Sequence, residues 1–120
     1  TMTTTISGSS GIVFPDLTTM QTGQQAVKAW VNFNGTGTVA IRAGYNVSSI
    51  TDNGVGLYTV NFTTAMPDAN YAAIASGPPE AGSGNKYYGY TDTASRAIYI
   101  SYAGTGSLVD TPIGELAIFR

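Results

Sequence analysis

Cysteine and histidine are both absent from this sequence of 120 residues. Without cysteine there is no disulfide framework, no thiolate metal site and no cysteine nucleophile, so stability rests on packing or association. Without histidine, neither a His-based catalytic triad nor the common zinc sites can be assembled. No metal site and no cofactor is expected. Charge is scarce too: Asp, Glu, Lys and Arg make up 10% of the residues, against roughly 25% in ordinary soluble domains. The five cations are scattered at Lys28, Arg42, Lys86, Arg96 and Arg120, and the net charge is −2. Nucleic-acid and anionic-membrane surfaces need clustered cations, so neither partner is expected. Apolar runs fall far short of the roughly 20 residues that span a bilayer. Thr1 to Ser10 lack the basic start and apolar centre of a secretory signal.

What is there is hydrophobic residues at 42%, Gly 15, Pro 5 and Tyr 8, with abundant Thr, Ser and Asn. Short polar side chains suit the outward face of a sheet and its turns, and the shortage of Glu, Lys and Leu argues against long helices. The pattern changes near Gln25. Residues 1–25 are rich in Thr, Ser and Gly and read as an extended arm or connector, with a disordered terminus as the alternative. Residues 26–120 carry continuous strand patterning.

Val27 to Asn34 alternates, with Val27, Ala29, Val31 and Phe33 on one face and Lys28, Trp30, Asn32 and Asn34 on the other. Gly35-Thr36-Gly37 turns the chain, and Thr38 to Ala43 answers with Val39, Ile41 and Ala43 expected inward. A second hairpin joins Val47–Thr51 to Leu57–Thr63 through Asp52-Asn53-Gly54-Val55-Gly56, with Tyr58, Val60 and Phe62 on one face. Met66 to Asn70 reads as a turn before a strand from Tyr71 to Ser76. The Pro- and Gly-rich stretch Gly77 to Asn85 must be a loop. Further strands are expected over Lys86–Thr91, Arg96–Ala103 and Glu115–Arg120. Strands recurring about every ten residues, with no helix between them, predict an all-β, antiparallel β-sandwich preceded by the arm.

Little here suggests catalysis. The acids are Asp16, Asp52, Asp68, Glu80, Asp92, Asp110 and Glu115. Six fall in expected turns or loops, where a carboxylate ordinarily hydrogen-bonds the backbone. Two acids brought together as a glycosidase pair would show only in the fold. Asp52-Asn53-Gly54 lacks the spaced acids and terminal Glu of a calcium loop. The glycosylation triplets at Asn34, Asn46 and Asn61 are what chance gives in a chain this rich in Thr and Ser. The aromatic residues say more. Alternation puts Tyr88 and Tyr90 on one face of a strand and Tyr87 on the other; Ile98, Ile100 and Tyr102 share a face opposite Tyr99. Exposed Tyr and Trp suit sugar-binding and subunit-contact surfaces; the alternative is that they close the core or pair across strands. The candidate receptor-binding residues are Tyr87, Tyr88, Tyr90, Glu80 and Asn85. The candidate subunit contacts are Trp30 and, in the arm, Phe14.

Two segments resemble a known family. Ile12-Val13-Phe14-Pro15-Asp16-Leu17-Thr18-Thr19-Met20-Gln21-Thr22 is similar to the I-x-F-P-D-G-T-x-Q-T connector of phage tail-fibre proteins, with Leu17 in place of the usual Gly and Met20 before the Gln. Lys28 to Gly37, Ile50 to Gly56, Tyr58 to Thr63 and the closing Leu116-Ala117-Ile118-Phe119-Arg120 resemble the C-terminal domain that follows this connector. Gly77 to Thr111 matches nothing in that pattern. The resemblance implies a virion component at a fibre's distal end, a homotrimer that contacts a host-surface glycan or protein and other virion proteins. It carries over no catalytic residue. The region from Tyr58 to Tyr71 also weakly resembles H-type lectins, which are trimeric sugar-binding β-sandwiches. The competing readings are a capsid decoration or trimerisation cap without receptor binding and, third, a polysaccharide depolymerase.

Overall fold

A computed structural model describes residues 5–7, 11–13, 19–20, 27–79 and 84–120, with side chains from residue 27 onward. Eight strands build the main body: β4 (Val27–Asn34), β5 (Ala40–Tyr45), β6 (Val47–Asp52), β7 (Leu57–Phe62), β8 (Ala72–Ser76), β9 (Lys86–Thr93), β10 (Arg96–Tyr102) and β11 (Gly114–Phe119). They form two four-stranded antiparallel sheets, ordered β5-β4-β11-β8 and β6-β7-β10-β9, packed as a β-sandwich. Before them, β1 (Thr5–Ser7), β2 (Gly11–Val13) and β3 (Thr19–Met20) pair antiparallel in the order β1-β2-β3. Within residues 1–25, which the sequence marks as an arm preceding the sandwich, these three strands form a small antiparallel meander. Ile6, Ile12 and Val13 have the β propensity for it, and Gly8-Ser9-Ser10 separates the first two strands. The expected boundary at residue 25 lies outside the described residues.

Alternation decides which side chains enter the core. From β4 come Ala29, Val31 and Phe33; from β7, Tyr58, Val60 and Phe62; from β10, Ala97 and Tyr99; from β11, Leu116 and Ile118. Phe33, Tyr58 and Tyr99 meet at the centre, edge to face or tilted, with ring centroids 5.1, 5.2 and 6.0 Å apart. Each such pair contributes about 0.5–1.5 kcal/mol beyond its area burial. Opposite Phe33 in the ladder is Gly114, where any Cβ would run into the Phe33 ring. A residue with a side chain would therefore force the two central strands apart.

One inward assignment fails. β5 is exposed along its whole length, and Ile41 keeps 37% of its surface accessible. The ladder between β4 and β5 slips by a residue: Asn32 faces Ala43 but Phe33 faces Ile41, leaving Arg42 as the extra residue of a bulge. The bulge shifts the parity, so Ala43 lies level with outward Asn32 and Ile41 with inward Phe33 at the sheet's open edge. Arg42 holds the bulge, donating to Asn32 Oδ1 at 3.3 Å and to the Pro112 carbonyl at 2.6 Å. Val39 alone of the three expected residues packs against the core.

Candidate functional site

Strand parity splits the eight tyrosines into two groups. Four point inward or towards the rim of the core, and each spends its hydroxyl on a backbone carbonyl. Tyr58 donates to Gly35 O at 2.8 Å and also approaches Asp110 Oδ1 at 3.0 Å. Tyr71 divides its proton between the carbonyls of Thr93 and Arg96. Tyr99 donates to Ser76 O at 2.8 Å, and Tyr87 to Pro78 O at 2.6 Å. Burial pushes the phenols of Tyr58, Tyr71 and Tyr99 above their ordinary range, with the Asp110 hydrogen bond adding to the rise at Tyr58. These hydroxyls are structural pins.

Tyr87 belongs to this group. It stacks on Tyr99 at 6.3 Å between centroids, packs on the backbone of Gly77 and anchors the loop after β8 through Pro78. Its ring therefore lies on the opposite side of β9 from Tyr88 and Tyr90. Asn85 is half-buried, and its Oδ1 is covered without a hydrogen-bond partner among the described residues. Glu80 and Phe14 lie outside the described residues.

The outward group is Tyr88, Tyr90 and Tyr102 on one sheet and Tyr45 on the other. In the β9–β10 ladder, Ile100 faces Tyr88 and Tyr102 faces Lys86, which gathers an aromatic and aliphatic surface on two neighbouring strands. Tyr88 and Tyr90 remain 49% and 47% exposed. Tyr88 and Tyr102 stand edge to face at 5.8 Å. Beside this pair lies an open groove of about 530 Å³, lined by both rings and by Lys86, Tyr90, Ile100 and Ala103. Its walls are flat rings with hydroxyl tips, and among the described residues its one charge is the Lys86 ammonium. Such a surface can cover the apolar face of a sugar ring and bond its rim. The candidate list lacked Tyr102 and Ile100. Their shared face was readable in β10, but the register that sets them beside Tyr88 was not.

The outer face of the other sheet carries a different feature. The ladders align Tyr45, Trp30, Ala117 and Ile74 in one row across all four strands. Trp30 is 42% exposed, and Ile74 and Phe119 are also open to solvent. Glu115, Ser76 and Asn32 border the row along its neighbouring rung. Trp30 thus sits in the middle of an apolar strip.

The described acids are each engaged in local hydrogen bonds. Asp52 accepts from Gly54 N and Asp68 from Asn70 N, the turn geometry expected of them. Arg120 also grips Asp68 and, with the Asn70 amide, holds its carboxyl below the usual range. Asp92 pairs with Arg96, Asp110 accepts from Gly56 N and Tyr58, and Glu115 accepts from Ser76. Among the described residues, no three acids gather as a metal site. No family model matches the chain, and no curated protein or solved structure matches it either.

Proposed function

We propose that this chain is the tip domain of a tailed-phage fibre and binds a host-surface saccharide in the groove lined by Tyr88 and Tyr102. The observation that carries the reading is three outward tyrosines clustered on adjacent strands of a rigid sheet. The remaining tyrosines in contact with the core are occupied in holding the fold. Rings mounted on strands lose little freedom on binding, which lowers the entropic cost of recognition. The sequence resemblance to fibre C-terminal domains supplies the setting: a virion exterior, a homotrimer and contact with other virion proteins. It brings no catalytic residue, and the reading is binding without cleavage. A single shallow groove of this kind gives weak affinity, and three copies on one fibre raise it by avidity of about 10²- to 10⁴-fold.

A glycan array probed with the chain tests this. Binding to a defined saccharide class should be lost in Tyr88→Ala and Tyr102→Ala while Tyr87→Phe binds as wild type. Equal retention of binding in both alanine variants places recognition elsewhere. Release of oligosaccharide from host capsule, abolished by changing one acid, would turn the reading towards a depolymerase.

The second reading, a trimerisation cap or capsid decoration, is favoured by the row Tyr45–Trp30–Ala117–Ile74. The two readings use opposite sheets. A homotrimer joined through the Trp30 face leaves the Tyr88 groove outward, so the cap role and receptor binding are compatible in one particle.

A further inference from the structure

A second cleft lies where the chain passes from one sheet to the other. β5 ends at Tyr45 and β6 begins at Val47, so Asn46 alone makes the crossing. Asn46 takes φ 56°, the one positive value at a non-glycine residue among those described. Its side chain fixes the corner on two sides. The amide donates to Lys28 O at 3.1 Å and Thr64 O at 3.0 Å, while Oδ1 accepts from Thr64 N at 2.7 Å. Its own carbonyl accepts from Thr63 N. The corner is therefore held to β4 and to the segment that follows β7.

The result is a cleft of about 610 Å³, within the about 300–1,000 Å³ of small-molecule sites. Buried Met66, Pro67 and the open ring of Tyr45 give it an apolar lining, and Thr63 and Thr64 also line it. Lys28 and Arg120 also line it. Asp68 occupies the Arg120 guanidinium. Lys28 has no ion pair among the described residues. Among the described residues three of the five cations, Lys28, Arg42 and Lys86, have no ion pair, and Lys28 is the one of the three that lines this cleft, beside Tyr45, Thr63 and Thr64. The Tyr88 groove has the same kind of ring surface and also a lysine, but this cleft is deeper in polar donors.

We propose that the cleft binds a carboxylate-bearing sugar, with the ring against Tyr45 and Pro67 and the carboxylate on the Lys28 ammonium. An apolar wall beside a lone cation suits a ring that carries one negative group at its edge. A multiply charged phosphate would call for several donors converging on one point. The proposal does not depend on the Tyr88 groove, but it requires that Tyr45, at the end of the Trp30 row, stay clear of any subunit contact made through Trp30 and Ile74.

Amide chemical-shift titrations of the full chain test it, using glucuronate, glucose, acetate and inorganic phosphate as probes. Glucuronate should shift the amides of Asn46, Thr63, Thr64 and Ala65 with millimolar affinity, and glucose and acetate should each bind there at least tenfold more weakly. Lys28→Gln should weaken glucuronate at least tenfold, and so should Tyr45→Ala if the first variant misfolds. Raising the salt should weaken binding of glucuronate and leave glucose unchanged. Equal affinities for glucose and glucuronate, or phosphate binding as tightly as glucuronate, overturns the proposal. So does glucuronate shifting only the amides around Tyr88 and Tyr102, an outcome that would still support the groove.

Discussion

Replacing Tyr58 by Phe removes one oxygen and leaves the packing of the ring in place. The edge-to-face contact with Phe33 and the tilted contact with Tyr99 survive, so no cavity larger than a hydroxyl opens. What is lost is the bond to the buried carbonyl of Gly35, the contact with Asp110, and the long hydrogen bond that the Thr111 amide donates to the hydroxyl at 3.4 Å. Asp110 keeps the Gly56 amide as donor, whereas Gly35 O loses its tyrosine partner. A net hydrogen bond contributes about 1 kcal/mol, and orphaning a buried acceptor costs about 1–3 kcal/mol. The two descriptions overlap, so the expected loss is about 2–3 kcal/mol. For a domain of this size that lowers Tm by about 8–12 °C. Urea denaturation followed by Trp30 fluorescence and far-ultraviolet circular dichroism measures it, with an unchanged m-value expected because the surface exposed on unfolding is the same. Tyr88→Phe is the control and should stay within about 0.5 kcal/mol of wild type. If Tyr58→Phe is equally neutral, the division of tyrosines into structural pins and an outward surface is wrong.

Three further outcomes follow from the same structure. Asn46→Ala removes three side-chain hydrogen bonds and leaves a β-carbon in the left-handed region, and should destabilise by about 2–3 kcal/mol in the same urea assay. Tyr58, Tyr71 and Tyr99 have phenols raised by burial, so the stability they contribute is complete below the unfolded phenol pKa of about 10 and is lost as pH rises towards their folded values. Their tyrosinate absorbance should appear only together with loss of near-ultraviolet circular dichroism, and full ionisation of all tyrosines in a still-folded chain contradicts this. Trp30→Lys places a charge in the middle of the apolar row and should convert a trimer to monomers in light scattering at micromolar concentration, with the sandwich intact. A wild-type chain that is already monomeric there refutes the proposed contact.

Much of the sandwich could be read from alternation alone. β4 and β7 carry apolar side chains at every second position, and their buried apolar residues fall on the faces alternation marks; β10 is apolar on both faces, and alternation alone did not tell that Ala97 and Tyr99, rather than Ile98, Ile100 and Tyr102, turn inward. The β6–β7 hairpin was visible because Asn53-Gly54 breaks two well-patterned runs. β5 was not legible, because a bulge at Arg42 reverses parity part-way along, and a bulge held by a side-chain bond to Pro112 leaves no local mark. Tyr87 and Tyr88 were separable by parity, but which of them faces the core depends on the ladder that aligns Tyr87 with inward Ser101. The Tyr88 groove needed the same register. The cleft at Asn46 was the least legible feature. It is assembled from Lys28, Tyr45, Thr63 to Pro67 and Arg120, which are far apart in sequence and joined only by the crossing of the two sheets. Asn46 itself looked like a chance glycosylation triplet.

Residue-resolved mapping of a bound host-surface oligosaccharide tests the central claim most directly. Saturation-transfer and amide-shift measurements on the full chain, with fragments of the host's surface polysaccharide, should place the ligand against the rings of Tyr88 and Tyr102 and shift the amides of β9 and β10 from Lys86 to Ala103. Tyr102→Ala should abolish those shifts while the sandwich stays folded, with Tm lowered by only about 2–6 °C for the lost contact with Tyr88. A bound oligosaccharide that leaves β9 and β10 unperturbed, or fragments that bind wild type and Tyr102→Ala equally, would contradict the account.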